Sequence, residues 1–143
     1  EPTTALDVTI QSQILSLVQR LVRERQVAMV WITHDLSVVA GLCDRTVVMY
    51  GGRLVEIGST EAVLARPAHP YTEGLLASIP DAEAPRGRLK QIPGTQPSPA
   101  DLPSGCPFRT RCRYAVRECE TPPKLTAVGP GRSARCHFPR AAA

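Results

Sequence analysis

The chain has 143 residues, 43% hydrophobic and 21% charged, with a formal charge of +4; that length builds one modest core, or a small domain with an appendage, and excludes a large multidomain enzyme. Its longest uninterrupted apolar run, Val27 to Ile32, is six residues, against the roughly 18 needed to cross a bilayer, which excludes a membrane-spanning helix. Glu1-Pro2-Thr3-Thr4 has neither a basic leader nor an apolar h-region, and a first residue other than Met gives the expectation of a processed chain or a fragment.

The charge is unevenly spread. Residues 1–79 hold eight Asp and Glu against six Arg, residues 80–105 hold three of each sign, and residues 106–143 hold eight Lys and Arg against two Glu. The basic character therefore sits in the tail. Seven of the fourteen prolines lie between Pro80 and Pro107, a stretch almost without apolar periodicity, which reads as a linker or irregular extended segment.

In chain order, Ile10, Ile14, Leu17, Val18, Leu21 and Val22 recur at helical spacing between Val8 and Arg25. Asp7 stands at the N-cap, and Arg20, Arg23 and Arg25 gather where the helix dipole favours cations. Residues 27–33 follow without polar alternation, as in a strand covered on both faces of a parallel sheet. Asp35 is placed to cap a short helix over Leu36–Leu42. The β-branched run from Arg45 to Tyr50, the Gly51-Gly52 turn and Arg53 to Ile57 then predict a hairpin at the sheet edge. Ser59 opens a further helix that runs to about Arg66 and stops at Pro67, and Pro70 begins a last one reaching Ser78. Alternating helix and buried strand predicts an α/β layer.

In such a layer ligands bind beyond the C-terminal strand ends, where His34 falls. From position alone, a histidine that caps or packs locally outweighs a ligand. Likewise a lone carboxylate such as Glu1 is more often solvated than a general base.

The order Glu1-Pro2-Thr3-Thr4-Ala5-Leu6-Asp7, a helix, then Ile32-Thr33-His34-Asp35-Leu36 resembles the ATPase subunits of ABC transporters. The likeness covers residues 1 to about 58 and enters at the last residue of the Walker B strand. It implies that Glu1 polarises the attacking water and that His34 is the switch histidine contacting the ATP γ-phosphate. Thr4, Ala5, Leu6 and Asp7 correspond to the D-loop that crosses to a partner subunit, with Thr4 where the family more often has Ser. These roles suit phosphoryl transfer, which depends on positioning and charge stabilisation. No G-x-x-x-x-G-K-[ST] loop, Gln-loop or LSGGQ-type signature occurs in the sequence, and the Walker B Asp that helps hold magnesium would precede residue 1. The expectation is that the chain alone neither binds ATP tightly nor hydrolyses it.

Further along, His69-Pro70-Tyr71-Thr72, Leu75-Leu76-Ala77-Ser78-Ile79-Pro80, Ile92-Pro93-Gly94 and Gly105-Cys106-Pro107-Phe108 resemble the C-terminal extension of oligopeptide and dipeptide importer ATPases. The resemblance implies the fold class α/β: a partial RecA-like P-loop NTPase core followed by a small irregular Cys-rich extension. Residues 1–66 would belong to the ATPase domain and 67–143 to the extension, with a Pro-rich linker over 80–105 and a Cys-rich segment over 106–138. The implied function is the ATP-hydrolysing subunit that powers peptide import, using ATP and magnesium in the full-length parent. Its partners would be a second ATPase subunit in a homo- or heterodimer, two transmembrane permease subunits and an extracytoplasmic solute-binding protein, at the cytoplasmic face of the membrane. A different reading is a non-catalytic metal-binding interaction module whose first half is only a scaffold.

Cys106, Cys112, Cys119 and Cys136 have the spacing C-x5-C-x6-C-x16-C, apart from the solitary Cys43. Four thiolates suit tetrahedral zinc, yet zinc sites usually bring ligands in close C-x2-4-C pairs. A [4Fe-4S] cluster is broader and tolerates wider spacings, and the importer resemblance points the same way; it stands ahead of zinc, with disulfides or free thiols third. Arg109, Arg111, Arg113, Arg117 and Arg135 would offset its negative charge. His137, beside Cys136, is expected to be solvated rather than a ligand. With only Phe108, Tyr114 and Phe138 to stack on bases, nucleic acid is not an expected partner.

Overall fold

The computed structural model describes residues 6–79 and 91–140, and the chain divides into two units, one through Asp44 and the other from Arg45 onward. In the first unit, helix α1 (Val8–Arg25) forms where the periodicity puts it. The Asp7 carboxylate accepts from the Ile10 amide at 2.9 Å, Arg23 and Arg25 close the last turn, and Gln26 leaves the helix with φ 51°. Helix α2 (Leu36–Leu42) is capped by Asp35, which accepts from the amides of Ser37 and Val38. The hydrogen bond with the Ser37 side chain, foremost among several, holds the Asp35 carboxyl below its usual range.

The strand expected over residues 27–33 is not formed. Strands exist only against hydrogen-bonding neighbours, and among the described residues no segment pairs with this run. Val27, Val30 and Ile32 are exposed accordingly, as are Ile10, Leu17 and Leu21 on the apolar side of α1.

The second unit contains a four-stranded antiparallel sheet in the order β1-β2-β4-β3. Strands β1 (Arg45–Tyr50) and β2 (Arg53–Ser59) pair from Arg45↔Ser59 to Tyr50↔Arg53. Both turn glycines have positive φ, 55° at Gly51 and 72° at Gly52, the combination a tight two-residue hairpin requires. The predicted hairpin is therefore present, but the sheet it joins is antiparallel. Its other half is a second hairpin, β3 (Thr126–Gly129) and β4 (Arg132–Ala134), which turns at Pro130-Gly131 and pairs to β2 through Glu56↔Ala134 and Ile57↔Ser133.

Helix α3 (Thr60–Ala65) is capped by Ser59, and helix α4 (Pro70–Ala77) has Pro70 in its first turn. Short 3-10 turns occupy Pro99–Asp101 and Arg117–Glu120. Val48, Tyr50, Val55, Val63, Cys106, Phe108 and Cys119 form the core, with Tyr71, Leu75, Ile92 and Cys112 packed on it. Tyr50 lies edge-on to Tyr71 and Phe108 at centroid distances of 4.7 and 5.1 Å, the arrangement aromatic quadrupoles favour. Among the described residues no helix is long and apolar enough to cross a membrane.

Candidate functional site: a cavity ringed by four cysteines

Cys106, Cys112, Cys119 and Cys136 all line one small cavity, part of it open to solvent. Different local devices deliver each thiol. Gly105, at φ 76°, lets the chain pass so close to the following segment that a Cβ there would lie 2.3 Å from the Cys119 carbonyl oxygen. That close approach allows the Cys106 amide to donate to the Cys119 carbonyl at 2.9 Å, bringing the first and third cysteines together. Turns place Cys112, whose carbonyl accepts from the Ala115 amide. Cys136 follows β4, where the Arg135 amide donates to the Val55 carbonyl at 2.8 Å and ties the segment to the sheet.

All five cysteines are free thiols, Cys106 and Cys119 buried and Cys112 and Cys136 partly so. Burial, ahead of the mutual repulsion of their charged forms, pushes the Cys106, Cys112 and Cys136 thiols up. A cation nearby would favour the thiolate forms of these three. Among the described residues, no three His, Cys, Asp or Glu side chains converge in the manner of ligands to a single metal ion. The thiols ring a cavity instead.

His69 closes another part of the wall. Its side chain is 1% exposed. Nδ1 accepts from the Tyr71 amide at 3.0 Å, capping α4, so the neutral ring carries its proton on Nε2. Burial, partly opposed by the Glu56 carboxylate, lowers its pKa to about 4 and keeps the ring neutral. Nε2 is buried and has no hydrogen-bond partner. Sequence reasoning quoted His69 as part of a motif and gave it no task; its place just before a helix-starting proline marks a cap that occupies Nδ1 and leaves Nε2 for another partner.

Beneath this wall lies Glu56, fully buried. Its carboxylate accepts from the Ala68 and His69 amides at 2.9 Å each and from Arg132 Nη2 at 2.7 Å. Arg132 Nη2 also donates to the Arg66 carbonyl. One buried ion pair thus fixes β2, β4 and the turn that carries His69.

The tail arginines divide their work. Arg109 lines the cavity while donating to the Ser104 carbonyl at 2.8 Å. Arg111 holds the Pro93 and Ile92 carbonyls, Arg113 pairs with Glu73, and Arg135 donates to the Leu54 and Pro123 carbonyls. Arg113 and Arg140 both stack on Tyr114, at 4.8 and 4.2 Å. Charge offset around the thiols accordingly centres on Arg109, the only one of the five expected arginines in the cavity wall. His137 is exposed and holds the Thr121 carbonyl through Nε2 at 3.0 Å, with its ring at the cavity rim.

The nucleotide-site expectations fall in the first unit. Glu1, Thr4 and Ala5 lie outside the described residues. Leu6 is exposed, and Asp7 caps α1. His34 is exposed and immediately precedes the Asp35 cap of α2.

Comparison with known proteins sets this geometry in a family. Residues 55–119 match the family described as the oligopeptide/dipeptide transporter, C-terminal region. Over 95% of its length the chain is 48% identical to the oligopeptide transport ATP-binding protein OppD of Haemophilus influenzae. Over 97% it is 48% identical to the OppD of Salmonella typhimurium and 44% identical to the dipeptide transport ATP-binding protein DppD of Escherichia coli. It spans 42%, 42% and 43% of these three relatives respectively. The chain is therefore a relative of ATP-binding subunits of ABC-type peptide importers. More narrowly, its likeness is to the oligopeptide/dipeptide type of that subunit. The relatives align through both units, so the alternative of a metal-binding module with a mere scaffold attached gains no support. Their names speak of ATP binding and peptide transport, and neither iron nor zinc is supported by them.

Proposed function

We propose that this chain is the C-terminal part of the ATPase subunit that powers import of oligopeptides, dipeptides or related small solutes. The observation that carries the reading is the 48% identity to OppD proteins, sustained over at least 95% of this chain. On this reading residues 1–66 complete a RecA-like nucleotide domain and residues 67–143 are the importer-type extension. The exposed apolar residues of the first unit, with residues 27–33 unpaired, suit elements that pack into a larger parallel sheet. Two such subunits close on ATP, with Leu6 and Asp7 in the segment that reaches the partner, and the pair drives two permease subunits served by a solute-binding protein. The subunit works peripherally at the cytoplasmic membrane face. Glu1 orients and polarises the water, and His34 donates to the γ-phosphate, stabilising charge as it develops. Magnesium and the phosphates would be held mainly by segments other than these 143 residues, so the chain by itself has no turnover. In the full-length subunit, Glu1→Gln should trap an ATP-bound dimer visible as a doubled mass in gel filtration; unchanged turnover refutes the role of Glu1.

We further propose that Cys106, Cys112, Cys119 and Cys136 hold a [4Fe-4S] cluster, with zinc as the alternative occupant. Four free thiols lining one cavity, together with an unpartnered buried donor, fit a sulfur-rich anionic group. When bound, that group supplies electron-transfer chemistry or a structural cross-link. The chain's own contribution is to exclude water through Phe108 and Pro123 and to place Arg109 beside the added negative charge.

A further inference from the structure

We propose that His69 is a positioning residue of the cysteine cavity, donating from Nε2–H to a sulfur atom of the group held there. The inference rests on the four cysteines acting as one ligand set.

Three observations carry it. The imidazole is 99% buried by its 1% exposure, yet Nε2 has no hydrogen-bond partner, an expensive state for a polar N–H. Its tautomer is set from the other side, because Nδ1 is committed as acceptor to the Tyr71 amide. The ring itself lines the cavity with the four thiols, and it cannot swing away: the His69 amide is held by Glu56, and Phe108 lies 5.9 Å from the ring centroid. The free thiols do not satisfy the N–H, so its partner is what the cavity receives. Thiolate and sulfide sulfurs accept hydrogen bonds, and such bonds favour the more negative, reduced form of a cluster, raising its potential. His69 thereby links occupancy of the cavity to the cap of α4 and, through Glu56, to the sheet.

The two ring nitrogens can be tested separately. An asparagine carries an oxygen near the Nδ1 position and is a good N-cap, but does not reach the cavity; a glutamine reaches it but caps poorly. The 143-residue chain is reconstituted anaerobically with iron and sulfide, and the cluster potential is read by an EPR-monitored redox titration. His69→Asn should keep the α4 cap and shift the reduced-to-oxidised ratio at fixed potential about tenfold toward oxidised, a fall of about 59 mV for one electron. His69→Gln should hold the potential and lower the melting temperature. Wild-type chain labelled with 15N-histidine should show a nitrogen coupling to the reduced cluster by pulsed EPR, which needs no variant to fold. The coupling should persist in His137→Gln. Equal potentials in wild type and His69→Asn, or no histidine coupling in a loaded wild-type chain, overturns the proposal while leaving the cluster standing. A wild-type chain that takes up no iron overturns both.

Discussion

Replacing Glu56 with alanine removes a fully buried carboxylate that accepts from three donors. Its oxygens receive the Ala68 and His69 amides at 2.9 Å and Arg132 Nη2 at 2.7 Å, with the Glu56 side chain fully buried and Arg132 8% exposed. The variant leaves a buried guanidinium uncompensated and two buried amides unpaired. Breaking such a pair from one side costs about 3–5 kcal/mol, a large share of the roughly 5–15 kcal/mol that holds a domain together. With a urea slope of about 1–3 kcal/mol/M, the midpoint should fall by about 2 M. Urea titration followed by far-UV circular dichroism, which reports the sheet, gives the number. The double variant Glu56→Leu, Arg132→Met removes both charges and should recover much of the loss. A single-variant cost below about 1 kcal/mol, or a double variant no better than the single, refutes the reasoning that this pair clamps β2, β4 and the His69 turn.

Other consequences follow from the same geometry. Gly105→Ala sets a Cβ against the Cys119 carbonyl at a backbone conformation of φ 76°; a loss of at least about 2 kcal/mol is expected, read by denaturant melting, together with impaired metal uptake. The metal-free chain should also weaken in acid. His69 has its pKa lowered to about 4 by burial against about 6.5 in an unfolded chain, so the unfolded state takes up the proton first. Stability is fully present above pH 6.5 and lost as pH falls toward 4, by about 2 kcal/mol between pH 7 and pH 5. His69→Asn should flatten that slope, measured by urea melts at each pH.

Local structure was legible in the sequence wherever a cap, a turn and a period agreed. Asp7 and Asp35 start their helices, Gly51-Gly52 turns the hairpin, and Pro70 opens α4. Residues 27–33 failed to form a strand because a buried-strand pattern reports what a segment needs, not whether a partner is at hand. The β3–β4 hairpin went unread because its strands are four and three residues long with little alternation, though Pro130-Gly131 was an available turn signal. Ile92, inside the Pro-rich stretch, packs on the core beside Gly74 without any periodicity to announce it. At the cavity, residue type was enough to gather four cysteines. Spacing was not enough to reveal His69 or Glu56, because their roles arise from contacts with residues far along the chain, Arg132 above all.

The cysteine cavity is tested most directly by iron and acid-labile sulfide analysis of the chain reconstituted anaerobically, beside Cys106→Ser, Cys112→Ser, Cys119→Ser and Cys136→Ser variants. About four irons and four sulfides per wild-type chain, with a broad visible absorbance that each variant diminishes and that Cys43→Ser leaves intact, is the expected result. A colourless wild-type chain that binds a single zinc ion, or a cluster indifferent to all four substitutions, contradicts the assignment.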